Sequence, residues 1–139
     1  MRLLPVVAIL LLSSTAFSSV KKSFSLVPRS GEYTCSRLGD LKYDCLDLIK
    51  YRFVDEWASG ALDRYTSPKD TLDGMGIIVD RHFQYEAVIA CDRFVSSTDT
   101  TQCLQATRDC TYTEEAISSC DSETTLSMTV RCFRYYCNK

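Results

Sequence analysis

Eight cysteines, Cys35, Cys45, Cys91, Cys103, Cys110, Cys120, Cys132 and Cys137, constrain what this 139-residue chain can fold into more than any other feature. None of them stands in a Cys-x-x-Cys arrangement, and the count is even. Behind an apolar N-terminal segment, that pattern predicts complete pairing in an oxidising compartment. Four bridges at about 2–4 kcal/mol each would rival the whole stability of a typical domain, about 5–15 kcal/mol, so reduction is expected to unfold the protein. Connectivity does not follow from the spacing. Cysteines several residues apart in one helix cannot meet, which argues against Cys132–Cys137 and Cys103–Cys110. Cross-links from the 103–137 region to the earlier helices are expected.

Residues 1–19 read as a secretory signal peptide: Arg2 precedes the apolar run Leu3 to Leu12, and Ala16-Phe17-Ser18 supplies small residues for cleavage. The run is too short for a membrane span, which needs about 20 apolar residues. Residues 20–34, with Pro28, Ser30 and Gly31, are expected to be a flexible leader, in which Lys21-Lys22 and Pro28-Arg29-Ser30 resemble processing sites. Residues 35–139 then form a single cysteine-rich domain. The expected localisation is secreted and extracellular, with no transmembrane segment in the mature chain.

Formal net charge is −2, and −3 once Arg2 leaves with the signal; without a basic block, this argues against nucleic acid, heparin or an anionic membrane as the main partner. Asn138 is the sole asparagine and lacks a Ser or Thr two residues on, so no N-glycosylation site exists.

Apolar residues recur at helical spacing. Leu38, Leu41, Cys45, Leu46, Ile49, Phe53 and Trp57 predict one long helix ending near Gly60, with Asp40, Asp44 and Asp47 on its solvated face. Ser67-Pro68-Lys69-Asp70 spells a helix start, Gly74 and Gly76 then weaken the helix, and a stronger one is expected from Ile77 to Val95. Short helices follow at about 100–109, at about 112–119 behind Thr111-x-x-Glu114, and at about 123–136. The expected class is all-α, a disulfide-stapled domain of about four to five helices. The competing class is a small α+β domain with one hairpin near Gly76–Val79 or Met128–Phe133. A faint echo, Cys91-Asp92 before Cys103 and Cys120-Asp121 before Cys132, reads as coincidence because the intervening residues barely agree.

Candidate chemistry is sparse. His82 is the single histidine, which leaves no two-histidine acid–base pair and no histidine-rich metal site. With every cysteine bridged, no thiolate nucleophile remains. A hydrolase built on His82 is the third reading, without a Gly-x-Ser-x-Gly elbow to support it. Asp55-Glu56 and Glu114-Glu115 read as solvated charges, since neighbouring helical residues point apart. The chain is not similar to animal lysozymes or secreted phospholipases, whose catalytic frames it lacks. No catalytic residue, metal or cofactor is expected, and the protein is expected not to be an enzyme.

Two roles remain. The first is a protein-binding module, because the chain carries eight tyrosines and this side chain gives large contact area at low entropic cost; Tyr135 and Tyr136, beside Cys137, are its candidate interface. The alternative is a carrier of a small apolar ligand or lipid, lined by Met75, Ile78, Phe83, Ile89, Phe94 and Phe133.

Overall fold

The computed structural model describes residues 26–139; the expected signal peptide and Lys21-Lys22 lie outside the described residues. Eight α-helices follow one another: α1 Gly31–Ser36, α2 Lys42–Ile49, α3 Glu56–Leu62, α4 Pro68–Ile78, α5 Tyr85–Asp92, α6 Ser97–Thr107, α7 Glu114–Asp121 and α8 Leu126–Tyr136, with a 3-10 turn at Gly39–Leu41. No strand occurs among the described residues, and both segments of the α+β alternative are helical or at a helix end. The class is all-α, as expected, but the helices among the described residues number eight rather than four to five.

The excess has a backbone cause. Both long predicted helices are cut where a residue other than glycine takes a left-handed conformation, Tyr51 at φ 60° and Asp80 at φ 58°. Three- and four-residue apolar spacing runs through these breaks, because the residues on either side of them pack into the same core. Gly74 and Gly76 do not interrupt α4. Ser67 caps α4 as predicted, its Oγ accepting from Asp70 N–H, whereas α7 is capped by Thr113 and not by Thr111.

Consecutive helices pair as four antiparallel hairpins, α1/α2, α3/α4, α5/α6 and α7/α8, which stack side by side. The first helices, α1, α3, α5 and α7, form one layer, and the second helices form the other. All eight cysteines are paired: Cys35–Cys45, Cys91–Cys103 and Cys120–Cys132 each join the two helices of one hairpin, and Cys110–Cys137 closes the fourth hairpin near its ends. The bridges are thus local: Cys91–Cys103 ties the 103–137 region to the helix before it, as expected, but none reaches the first long segment.

The echo in the sequence is a structural repeat. Cys45, Gly74, Cys103 and Cys132 follow at 29-residue intervals, and so do the left-handed residues Tyr51, Asp80, Asp109 and Asn138. The same interval relates the caps Ser67, Ser96 and Thr125, the buried Thr71, Thr100 and Thr129, and the core residues Met75, Leu104 and Phe133. Hairpin 2 has no cystine. Leu62 and Gly74 hold the two positions, and a Cβ on Gly74 would lie 2.6 Å from Leu62 Cδ2, so the leucine side chain fills the space that sulfur fills elsewhere. Repeat units of this kind bury their apolar faces mainly against their neighbours.

The expected flexible leader ends sooner than its sequence suggests. Helix α1 starts at Gly31, capped by Ser30, and residues 26–30 lie along α3. Arg29 N–H donates to Glu56 C=O at 2.9 Å, and Ser59 Oγ–H donates to Ser30 C=O at 3.3 Å. Gly60 permits the approach, since a Cβ there would sit 2.0 Å from the Val27 carbonyl oxygen. Arg29 is thereby engaged with Asp63 at 3.6 Å and stacked on the Tyr33 ring, not held out for a protease.

Candidate interaction surface

Two ladders of polar contacts run along the stack, the first joining each hairpin to the next and the second closing hairpins 2, 3 and 4 across their own ends. In the first, an arginine after a first-layer helix reaches an aspartate of the following hairpin: Arg37–Asp63 at 2.9 Å, Arg64–Asp92, and Arg93–Asp121 at 3.9 Å. Asp63 and Asp92 are largely shielded from solvent, where an ion pair gains from its hydrogen bonds.

The second ladder uses the left-handed residues. Asp80 accepts from Phe53 N–H at 3.1 Å, Asp109 from His82 N–H at 2.9 Å, and Asn138 from Thr111 N–H at 2.9 Å, while the backbone N–H of each donates back to the same partner's carbonyl. Asp and Asn tolerate this backbone region because their short side chains bond locally. The hydrogen bond from Arg52 holds the Asp80 carboxyl below the usual carboxylate range, and the His82 backbone N–H, followed by Arg81, does the same for Asp109. In the fourth hairpin, Cys110 stands where Arg52 and Arg81 stand, and its bridge to Cys137 takes over from the ion pair.

These junctions place aromatic side chains in pairs across hairpins 2 and 3. Phe53 and His82 have ring centroids 4.8 Å apart, and Trp57 and Tyr85 have theirs 4.4 Å apart. Phe53 is 48 % exposed, Tyr85 40 % and Ile89 42 %; His82 is exposed and Trp57 half-buried. Helical periodicity assigns Phe53 and Trp57 to a buried stripe, but the chain breaks after Ile49 and restarts at the Asp55 cap, whose carboxylate accepts from Trp57 and Ala58 N–H. The legible signals were Asp55 as an N-cap and the 29-residue interval from Phe53 to His82.

The sequence-derived candidates are dispersed. Tyr135 is 60 % exposed, with the Lys139 ammonium 3.7 Å from its ring centroid, while Tyr136 packs partly against the core; their rings meet edge to face at 4.8 Å. Tyr65 and Tyr112 are inward: the Tyr65 hydroxyl pairs with Thr101 Oγ1 at 2.8 Å, and burial pushes the Tyr112 phenol up to about 12. Met75, Ile78, Phe94 and Phe133 are fully buried in the core and Ile89 faces solvent, so the proposed carrier residues do not line one chamber. His82 borders a groove of about 350 Å³ lined by Phe83, Gln84, Asp109, Cys110 and Thr111, with no serine in its wall. A cleft of about 600 Å³ between hairpins 1 and 2 is lined by Arg37, Asp63, Arg64, Tyr65, threonines, Leu38 and Pro68, a mixed wall whose aspartate is already bonded to Arg37. Among the described residues no three His, Cys, Asp or Glu side chains gather as a metal-binding group, and no helix is long and apolar enough to cross a membrane.

No protein-family model, curated protein or solved structure matches the chain.

Proposed function

We propose that this protein is a secreted, non-enzymatic binding module that engages an extracellular protein through the first-layer face of hairpins 2 and 3. One observation carries the reading: Phe53 with His82 and Trp57 with Tyr85 stand in ring pairs at the starts of α3 and α5 and in the segments just before them, with Phe53, His82 and Tyr85 exposed and Trp57 partly packed against the core. Ordered rings at a surface lose little entropy on docking and dominate binding energy at interfaces. Four disulfides favour an extracellular setting, and stacked helical hairpins offer an extended surface of the kind repeat proteins use for binding.

The test is native mass spectrometry of the protein recovered unreduced from the medium of cells that secrete it, beside the double variant Phe53→Ser/Tyr85→Ser. The expected result is a stoichiometric protein adduct on the wild type that the variant loses, at equal melting temperature. An adduct of lipid mass retained by both forms would replace this reading with that of a carrier.

A further inference from the structure

The same face carries a second regularity, one of charge. The first two positions of α3, α5 and α7 are Glu56-Trp57, Tyr85-Glu86 and Glu114-Glu115, each set 29 residues after the one before. Glu56 and Tyr85 are therefore equivalent, as are Trp57 and Glu86, so two carboxylates and two rings alternate across the junction of hairpins 2 and 3. Not one Lys or Arg occurs within α1, α3, α5 or α7. Glu56 and Glu86 are exposed and form no ion pair with any described residue. The nearby Arg52 and Arg81 are held by Asp80 and Asp109, each at 2.8 Å. Acidic residues in a first helical turn serve the helix dipole, which accounts for the carboxylates but not for the partly exposed rings between them.

A guanidinium is the group that satisfies both. It stacks on an aromatic face and offers planar donors to a carboxylate at the ring's edge, and Arg does this better than Lys. We infer that this face, the docking surface proposed above, takes an arginine-rich extended segment of its partner, with guanidinium groups seated on Trp57 and Tyr85 and paired with Glu56 and Glu86. The inference rests on the proposed binding role and specifies the partner's chemistry.

Trp57 is the only tryptophan, so its fluorescence reports the site directly. The full disulfide-bonded protein is titrated with a short oligoarginine peptide, with oligoglutamate and a neutral leucine–serine peptide of equal length alongside, and calorimetry is run in parallel. Saturable binding of oligoarginine that weakens with added salt is expected. Glu56→Gln/Glu86→Gln weakens it by about 3- to 10-fold, the range two exposed ion pairs supply. Tyr85→Ala weakens it by a similar factor of about 3. Glu114→Gln/Glu115→Gln, which removes equivalent carboxylates from a helix start without rings, changes it by less than about twofold. No oligoarginine binding, or an equal loss in both Glu→Gln pairs, overturns the inference, the latter because a diffuse acidic field would then be sufficient. Tight binding of the neutral peptide alone overturns the charge assignment and leaves the docking surface itself standing.

Discussion

Two glycines of α4, on either side of Met75, have opposite requirements. Gly76 faces open space, and a helical glycine there leaves the unfolded chain more freedom than alanine would. Gly76→Ala is therefore expected to stabilise the protein by about 0.5–1 kcal/mol in denaturant unfolding. Gly74 lies against the fully buried Leu62, whose Cδ2 occupies the place of a Cβ. Gly74→Ala is expected to destabilise by about 1–3 kcal/mol, since overpacking must displace a side chain with no room to move. Equal signs for the two would refute the role given to Leu62. At Gly60 the obstructing atom is a backbone oxygen, so Gly60→Ala must lift residues 26–30 off α3. Trypsin should then cut after Arg29 several-fold faster than in the wild type, with the cut site read by mass spectrometry. An unchanged cleavage rate would mean that the 26–30 segment is not held by the contact at Gly60.

Hairpin 2 explains why the helices were legible in the sequence and the repeat was not. Apolar spacing and the Ser67-Pro68 start locate helical segments correctly, because each helix buries one face. The unit that recurs is marked by cysteines in hairpins 1, 3 and 4 only, and the paired cysteines of hairpin 1 are separated by 10 positions where those of hairpins 3 and 4 are separated by 12. With Leu62 and Gly74 standing in for a cystine, the four-fold series shows as an isolated pair. The breaks were hidden for a related reason: Tyr51, Asp80 and Asp109 adopt the left-handed conformation that a reader looks for at glycine. The aromatic face was missed with them, since an unbroken helix through Phe53 turns an exposed ring into a core residue. Because its positions are equivalent, hairpin 2 should accept the cystine of its neighbours. The double variant Leu62→Cys/Gly74→Cys is expected to form a fifth bridge, seen as a further loss of two hydrogens by mass. Loop closure of this length stabilises by about 3 kcal/mol, roughly offsetting the loss of Leu62 from the core. Two free thiols in the purified variant would refute the equivalence of the four hairpins.

Across the whole molecule, stability depends on the junctions between hairpins, because each unit contacts mainly its neighbours. The Arg–Asp ladder runs from Arg37 to Asp121, and neutral Ser36 and Ser122 stand where a further Asp and Arg would fall, so no charge of the series lacks a partner. The second ladder makes the stack acid-sensitive. Asp80 and Asp109 have carboxyl groups held below the usual aspartate range in the folded state. A depressed folded pKa gives stability that is present above the unfolded value, about 3.9, and is lost as pH falls through the folded value. Melting temperature is therefore expected to be level from about pH 7 to 5 and to fall below about pH 4, as the contacts of Asp80 and Asp109 that close hairpins 2 and 3 lose their charge. Hairpin 4 already contains a non-titrating version, Asn138, which keeps the left-handed backbone and the acceptor for Thr111 N–H. Asp109→Asn should copy it. The variant is expected to melt only slightly below the wild type at pH 7, where it loses the exposed Arg81 pair, and to show a shallower acid limb. Asp109→Ala, with neither the acceptor for His82 N–H nor the side chain that tolerates φ 58°, should melt several degrees lower at every pH. A calorimetric series from about pH 3 to 8 separates the three proteins, and an acid limb in Asp109→Asn as steep as that of the wild type would show that Asp109 does not contribute to it.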